Sequence, residues 1–300
     1  MSPRSDLTSA EPLPPRGRVH IVGAGPVGLL LTALLQSVEG FSVQLYEKRQ
    51  EYKRTRMVKL APYLVADSVE SYRTDHIDGE NVEAVFDPPE LEDGLAFRQS
   101  IAPDLMALLQ EWSQGFCPLN VIERSLSNLI DARASNTVQR TCTVMTAQDA
   151  VAMLAPGDIL MDRFIAKIKQ ETHGKVMGDL EIVRIPMNLY RARNATSRSW
   201  RTAGHADHPF ANSPVFLLGD SAIGSPYFQS ISLGFECAMY LAGLIARRDL
   251  PVSDMLERYE LLVYKQWLRV YMRSKMIKHN KDLFESLDDP FALLDKLHIY

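Results

Sequence analysis

A glycine-rich hexapeptide near the start of the chain constrains the fold more than any other feature. Gly23-Ala24-Gly25-Pro26-Val27-Gly28 has the pattern GxGxxG and follows a short apolar run, Arg18 to Val22, that is typical of a buried parallel strand. Gly28 to Ser37 is apolar on most faces and predicts a buried helix, and the alternation from Phe41 to Glu47 predicts a second strand. A strand, a tight turn, a helix and a strand within about thirty residues form a βαβ unit with a right-handed crossover. We therefore predict an α/β fold with a Rossmann-like domain.

The spacing also indicates what this unit binds. In such a turn the first glycine permits the bend, the second lets the backbone approach a pyrophosphate, and the third lets the helix pack close to the strand. The helix N-terminus offers unpaired N–H groups to the phosphates, and Glu47, 19 residues after Gly28, lies where an acid binds ribose hydroxyls. We expect a dinucleotide here, although the hexapeptide alone also fits a turn that binds nothing, and NAD(P) and FAD enzymes share the fingerprint. The predicted cofactor-binding residues of this region are Gly23, Ala24, Gly25, Val27, Gly28, Glu47 and Lys48.

Composition excludes several other classes of protein. The 300 residues are 46% hydrophobic and 23% charged, which excludes collagen-like and wholly disordered chains, and a net charge of −4 gives no reason to expect a nucleic-acid partner. Cys117, Cys142 and Cys237 form no CxxC pair, so we expect neither a disulfide framework nor a metal site. Met1 to Arg18 lacks the apolar core of a signal peptide, and Val27 to Leu35 is too short to span a bilayer. We expect a cytoplasmic protein.

A second motif near the C-terminal third indicates which dinucleotide is bound. Pro214 to Ala238 reads PVFLLGDSAIGSPYFQSISLGFECA, a strand that ends in Gly-Asp, a loop with proline and the start of a helix. It resembles the second FAD motif of the flavin-dependent aromatic hydroxylases (class A flavoprotein monooxygenases), in particular their kynurenine 3-monooxygenase-like branch. Gly219-Asp220-Ser221-Ala222 matches the start of that motif, Pro226-Tyr227-Phe228 its middle and Gly234-Phe235-Glu236 its helix.

The chemistry of this motif suits a flavin. The Asp220 carboxylate can accept hydrogen bonds from ribityl hydroxyls, and the N–H groups around Gln229 to Ser232, Ser230 and Ile231 among them, can meet the ring and phosphate at a helix N-terminus. The alternative is a buried aspartate that caps a helix in an ordinary α/β fold.

Two further stretches carry the resemblance. The segment from Arg56 to Ala61 is similar to one in which an arginine reaches the FAD, and Val121 to Leu129 is similar to a helix start whose arginine, here Arg124, contacts the cofactor. Such arginines can pair with a pyrophosphate through charge-assisted hydrogen bonds. Without the other motifs, Arg56 and Arg124 would each be interpreted as a solvent-exposed surface arginine.

The chain also departs from the family pattern. The family carries Asp-Gly and a downstream Arg after a strand like Gly157 to Asp162, whereas here Arg163-Phe164 follows directly. Ile223 stands where the family has histidine, the glycine-rich turn after Pro226 is reduced, and the chain is short for the family. These departures bear on the handling of NAD(P)H more than on FAD binding.

The resemblance implies an FAD-dependent monooxygenase. NAD(P)H would reduce the flavin, O2 would give a flavin C4a-hydroperoxide, and one oxygen atom would pass to an aromatic or electron-rich small molecule. Candidate pocket residues are Tyr190, Arg193, Tyr227 and Phe228, and no side chain is assigned as a catalytic acid or base. The alternatives are an FAD-dependent reductase or dehydrogenase without oxygen insertion, and a non-catalytic FAD-binding protein.

The predicted organisation is a two-lobed α/β protein with a discontinuous FAD domain, a β-rich substrate domain and a C-terminal helix. Val82–Phe86 is a short β-like piece, and β-branched residues with alternation predict a meander of strands over Phe164–Lys169, Leu180–Asn188 and Leu189–Ala195. The predicted boundaries are 1–17 for a flexible tail, 18–62, 96–162 and 212–250 for the FAD domain, 63–95 and 163–211 for the substrate domain, and 251–300 for the helical region. Helical spacing predicts helices over Leu233–Arg247 and Val252–His279; the basic face of the latter keeps a membrane-surface role open beside simple packing. His205 and His208 flank Asp207 without a third ligand at a suitable spacing, which favours a solvated loop.

Overall fold

The computed structural model describes residues 17–38, 41–47, 51–74, 87–136, 142–145, 189–198, 213–225 and 230–287. Several sequence predictions lie outside these ranges: the strands Val82–Phe86, Gly157–Asp162, Phe164–Lys169 and Leu180–Asn188, the residues Lys48, Tyr227 and Phe228, and the pair His205 and His208. The predicted domain boundaries stay a prediction.

The N-terminal βαβ unit is present and confirms the α/β prediction. Strand β1 (Gly17–Val22), helix α1 (Pro26–Gln36) and strand β2 (Phe41–Tyr46) follow one another, and β1 pairs in parallel with β2. Strand β5 (Cys142–Met145) continues the parallel sheet on the other side of β2, so the described strand order is β1-β2-β5. Helix α1 begins earlier than the predicted Gly28 because Pro26 occupies its first turn, where a fixed φ and a missing N–H cost nothing.

Helix α1 is the centre of the core. Its leucines are almost fully buried, as expected of a helix that is apolar all round. It packs against helix α5 (Leu119–Asn136) and helix α6 (Ser230–Ala246). The Gln36 amide donates to the Ile130 carbonyl of α5 at 3.2 Å, and the Arg133 guanidinium caps the last turn of α1 through the Ala33 carbonyl at 2.7 Å.

Short elements surround this core. Helices α2 (Val69–Thr74), α3 (Leu91–Gln99) and α4 (Pro103–Gln114) follow a 3₁₀ turn at Pro62–Val65, and strands β3 (Met57–Val58) and β4 (Cys117–Pro118) form an antiparallel pair. Trp112 of α4 accepts a backbone hydrogen bond from Leu60 at 3.3 Å, which joins the segment after β3 to the helical layer.

The strands predicted over Leu189–Ala195 and Pro214–Leu218 appear as two-residue ladders. Strand β6 (Tyr190–Arg191) pairs with β9 (Ile223–Gly224), and β7 (Thr196–Ser197) pairs with β8 (Val215–Phe216). Between β6 and β7 the backbone amides of Ala195 and Thr196 donate to the Glu260 carboxylate at 2.7 and 3.0 Å. Because these amides bond to a side chain, they interrupt a continuous strand.

The C-terminal part is helical, as predicted. Helix α6 begins at Ser230, before the predicted Leu233, and helix α7 (Val252–Leu287) continues beyond the predicted His279. Tyr259 of α7 donates to the Leu217 carbonyl at 2.8 Å and thereby fixes α7 to the segment that leads into the second motif. Among the helices described, none combines the length and apolar character needed to cross a bilayer.

Candidate functional site

The first and third glycines of the hexapeptide depend on each other. Gly23 has a φ of +104°, a conformation that side chains with a β-carbon rarely adopt. A β-carbon on Gly28 would lie far inside 3.0 Å of the Gly23 carbonyl oxygen, closer than real β-carbons approach. Leu29 donates to the Gly25 carbonyl at 2.9 Å, so α1 begins directly from the loop. The loop can therefore bend and let α1 approach only with glycine at both positions.

Glu47 binds the loop itself. Its Oε2 accepts a hydrogen bond from the Ala24 backbone N–H at 2.7 Å, and the Gly23 N–H donates to the Tyr46 carbonyl at 2.7 Å. The end of β2 thus holds the turn from one side. The predicted contact of Glu47 with a ribose stays a prediction, and the structure adds a role in shaping the turn that its spacing alone did not indicate.

Arg54 lies over Gly25, the second glycine of the hexapeptide. The sequence patterns did not indicate Arg54 as a site residue. Its Nη2 would be 3.7 Å from a β-carbon on Gly25, and the same guanidinium pairs with the carboxylate of Glu123, which is fully buried. The backbone carbonyls of Arg54 and Arg56 accept hydrogen bonds from Asn120 and Leu119, both at 2.8 Å. The start of α5 therefore anchors the segment that carries Arg54 and Arg56.

The structure places Arg124 differently from Arg54. Arg124 is exposed, and its Nε donates to the Asn120 carbonyl of its own helix at 3.3 Å. Its predicted contact with the cofactor stays a prediction. Glu123, Leu126 and Ile130 are spaced as one buried face of α5, and this spacing is the sequence feature that could have singled out Glu123.

The second motif meets the first at Val27. Gly219 has a φ of +57° within a 3₁₀ turn (Gly219–Ser221), and a β-carbon there would lie 3.3 Å from Cγ2 of Val27. A β-carbon on Gly234 of α6 would lie 2.5 Å from the same Cγ2 and 3.4 Å from the Gly219 Cα. Two motifs almost two hundred residues apart in sequence (27 against 219) are thus packed around one valine side chain.

Asp220 interacts electrostatically with the two arginines beside the loop. Partial desolvation raises the pKa of its carboxyl group above the usual value, and the Arg56 and Arg54 charges oppose that shift. The Asp220 side chain nevertheless remains exposed. It therefore stands at the surface, within electrostatic range of the Arg54 and Arg56 guanidinium groups.

Tyr52 marks the acidic side of the site. Desolvation, with the charges of Glu47, Glu123 and Asp131, raises the pKa of its phenol to about 12. Tyr52 is half-buried and keeps its proton at neutral pH. Three carboxylates therefore act on Tyr52, and one of them, Glu123, also pairs with Arg54.

Tyr190, a predicted pocket residue, lies against the second motif. Its hydroxyl donates to the Asp220 backbone carbonyl, and its ring packs so closely on Gly224 that a β-carbon there would collide with it. Arg193 is exposed on the chain that follows β6, and Ser230 and Ile231 form the first turn of α6. The structure therefore brings Tyr190 to the predicted FAD-binding stretch.

The residues present suit a dinucleotide. Gly25 has no side chain in the way of a pyrophosphate, the Arg54 guanidinium lies over it, and Glu47 and Asp220 supply carboxylates that ribose and ribityl hydroxyls can use. Within the described ranges, no group of three or more His, Cys, Asp or Glu side chains could hold a metal ion.

A match to a protein-family model supports the nucleotide-binding part of this description. Residues 21–52 match the model of a family described as an NAD(P)-binding Rossmann-like domain. The solved structure of the Diels-Alderase PyrE3 in the biosynthetic pathway of pyrroindomycins is similar over 93% of this chain and 78% of that chain, at 11% sequence identity and a TM-score of 0.45. No curated protein matches the chain. The parallel βαβ unit, its glycine loop and the family match together identify a Rossmann-like nucleotide-binding domain.

Proposed function

We propose that this chain is an FAD-dependent monooxygenase that uses NAD(P)H and O2 to oxygenate an aromatic or electron-rich small molecule. The observation that carries the proposal is the contact of Val27 with Gly219 and Gly234, because it brings the dinucleotide loop and the flavin-type motif to one place. A plain NAD(P)-binding unit needs only the first of these motifs.

The pyrophosphate would bind between the loop and the arginine segment. Gly25 allows close approach of the backbone, the N-terminus of α1 carries partial positive charge, and Arg54 and Arg56 supply full charges. Buried Glu123 holds Arg54 in place, so the guanidinium would be partly ordered before the phosphates arrive.

The adenosine end would lie toward Glu47. A carboxylate at the end of β2 accepts hydrogen bonds from ribose hydroxyls and repels a 2′-phosphate. Glu47 accepts the Ala24 amide on Oε2, and its carboxylate would also accept from the ribose. This arrangement favours an adenosine without a 2′-phosphate, as in FAD.

The flavin end would lie between Asp220 and the start of α6. The Asp220 carboxylate would accept from the ribityl chain, and the backbone N–H groups of Ser230 and Ile231 would face the ring. When bound, FAD supplies the electron-transfer and oxygen chemistry. Tyr190, held on the Asp220 carbonyl, would line the adjoining substrate pocket.

A screen of aromatic and electron-rich compounds tests the proposed reaction. We expect at least one of them to stimulate NAD(P)H oxidation by the FAD-loaded protein, with matching oxygen uptake and an oxygenated product. NAD(P)H oxidation without oxygen incorporation would instead identify a reductase or dehydrogenase. FAD binding without turnover on any compound would identify a binding protein. Either result would contradict oxygen insertion.

A further inference from the structure

A cluster of polar side chains is buried on the other side of α6 from the glycine loop. It joins elements that lie far apart in the sequence, and only its central residue, Glu236, belongs to the second motif. We name it the Glu236 cluster; its members are Tyr63, Tyr72, Arg98, Glu236 and Arg269, from the 3₁₀ turn, α2, α3, α6 and α7.

The contacts of the cluster converge on the Glu236 carboxylate. The Tyr72 hydroxyl donates to Oε1, Arg98 Nη2 lies 4.0 Å from Oε1, and Arg269 Nη1 lies 3.6 Å from Oε2. Arg98 also donates to the Tyr63 carbonyl at 2.6 Å and stacks over the Tyr72 ring at 5.4 Å. Every partner comes from a different element, so the carboxylate fixes α6 relative to all of them.

The protonation of the tyrosines suits this role. Burial, and next the Glu236 charge, raises the pKa of Tyr72 well above its usual range, so Tyr72 keeps the proton that it donates. A buried carboxylate between two guanidinium groups often stabilises a fold no more than well-packed apolar side chains would. What the polar groups add is direction, because the hydrogen bond from Tyr72 to Glu236 holds only at one rotation and height of the helix.

Helix α6 is held from two opposite sides. Ser232 and Glu236 are one turn apart and share a face, whereas Gly234 points the other way, toward Val27. On the first face the Ser232 hydroxyl accepts a hydrogen bond from the Ala61 backbone N–H at 2.9 Å. A small rotation of α6 would therefore break the Ala61 bond and change the contact at Val27 together.

We propose that Glu236 and Tyr72 are positioning residues that set where the first turn of α6 lies relative to the glycine loop. Both side chains are buried, and they act through the rotation and height of α6. The inference that this placement serves FAD rests on the proposed function.

The variant Tyr72→Phe tests this role with little disturbance. It removes one hydroxyl and keeps the ring that packs against Tyr63 at 5.7 Å. The matched control is Arg133→Met, because Arg133 also joins several partners, namely the Ala33 carbonyl at 2.7 Å, the Ser37 hydroxyl at 3.0 Å and Asp104 at 2.5 Å, but at the far end of α1. Both variants lose polar contacts between elements, and only Tyr72→Phe loses a contact of α6.

Two measurements on the full chain test whether Tyr72 and Glu236 position α6. Hydrogen exchange of the Ala61 amide reports the position of α6 without any cofactor, and we expect Tyr72→Phe to accelerate it about tenfold while Arg133→Met leaves it unchanged. A fluorescence titration with FAD should show a dissociation constant about fivefold higher for Tyr72→Phe and unaltered for the control.

The exchange measurement and the FAD titration test the positioning role and the proposed function separately. Unchanged Ala61 exchange in Tyr72→Phe, or an equal loss of FAD affinity in both variants, would overturn the positioning role. If the unaltered protein binds no FAD, the proposed function fails, and the Ala61 exchange alone then decides whether the Glu236 cluster positions α6.

Discussion

Val27 and Gly234 meet where the two halves of the proposed site join: a β-carbon at residue 234 would lie only 2.5 Å from Cγ2 of Val27. Real β-carbons essentially never come within 3.0 Å of another heavy atom. The glycine is therefore required by the close approach of α6 to α1. The helix itself would be better served by another residue, since glycine is a poor helix former.

We expect Gly234→Ala to destabilise the protein by about 1–3 kcal/mol, because the added methyl group overpacks the contact with Val27. Adding Val27→Ala should restore most of the loss, since it removes the colliding methyl groups. Chemical denaturation of the two single variants and the double variant measures this coupling. Gly94→Ala in α3 is the control: nothing lies within 4 Å of its added carbon, so stability should rise, by up to about 1 kcal/mol. Additive effects of the Gly234 and Val27 changes would contradict the contact.

Arg54 lies over Gly25 in the structure, whereas the sequence resemblance indicates Arg124 as the arginine that contacts the cofactor. We expect Arg54→Gln to weaken FAD binding by about tenfold to a hundredfold, because a charge-assisted contact to the pyrophosphate is lost. Arg124→Gln should change the affinity less than about twofold, since Arg124 is exposed and bonds within α5. Fluorescence titration with FAD measures both. If Arg124→Gln has the larger effect, the sequence prediction is right and the assignment to Arg54 is wrong.

Two substitutions of Glu47 separate its structural role from its role in binding. Glu47→Gln keeps an oxygen acceptor for the Ala24 amide, so it should leave stability nearly unchanged while lowering FAD affinity by about tenfold. Glu47→Ala should also lose about 1.5–3 kcal/mol of stability, because the Ala24 N–H loses a charged acceptor. Thermal denaturation and FAD titration of both variants test this, and equal stability of the two would exclude the structural role.

Asp220 gives stability a defined dependence on pH. Its pKa is raised in the folded protein by desolvation, so the folded state holds the Asp220 proton more tightly than the unfolded state does. Its contribution to stability is therefore fully present below the usual aspartate pKa of about 3.9 and is lost as pH rises through the folded-state value. We expect Asp220→Asn to gain stability relative to the unaltered protein as pH rises through that window. Denaturation curves over the acid range measure the difference, and parallel curves would contradict the shift.

The sequence predicted the parts of the site that depend on local pattern. The glycine turn, the carboxylate of Glu47 and the helix that begins after the second motif follow from short-range spacing and backbone geometry. Helix α1 and the parallel pairing of β1 with β2 were predictable for the same reason.

The remaining features arise from long-range contacts. Arg54 and Glu123 are separated by 69 residues, and Tyr72 and Glu236 by 164, so no local spacing indicates that either pair meets. On α5 the resemblance indicated Arg124, whereas one residue back, a rotation of about 100° on a helix, Glu123 is the buried member. Longer strands were predicted in the β-rich region because apolar and polar residues alternate there. The hydrogen bonds from the Ala195 and Thr196 amides to Glu260 join residues far apart in the sequence, so no local pattern indicates them.

Titration of the purified full chain with FAD tests the proposed flavin site. We expect saturable binding of one FAD per chain, with visible absorption bands displaced from those of free FAD, and weaker binding when Arg54 is replaced by Gln. A chain that shows the expected helical circular dichroism but leaves the FAD spectrum unchanged at saturating concentration would contradict the claim that the two motifs form one flavin site.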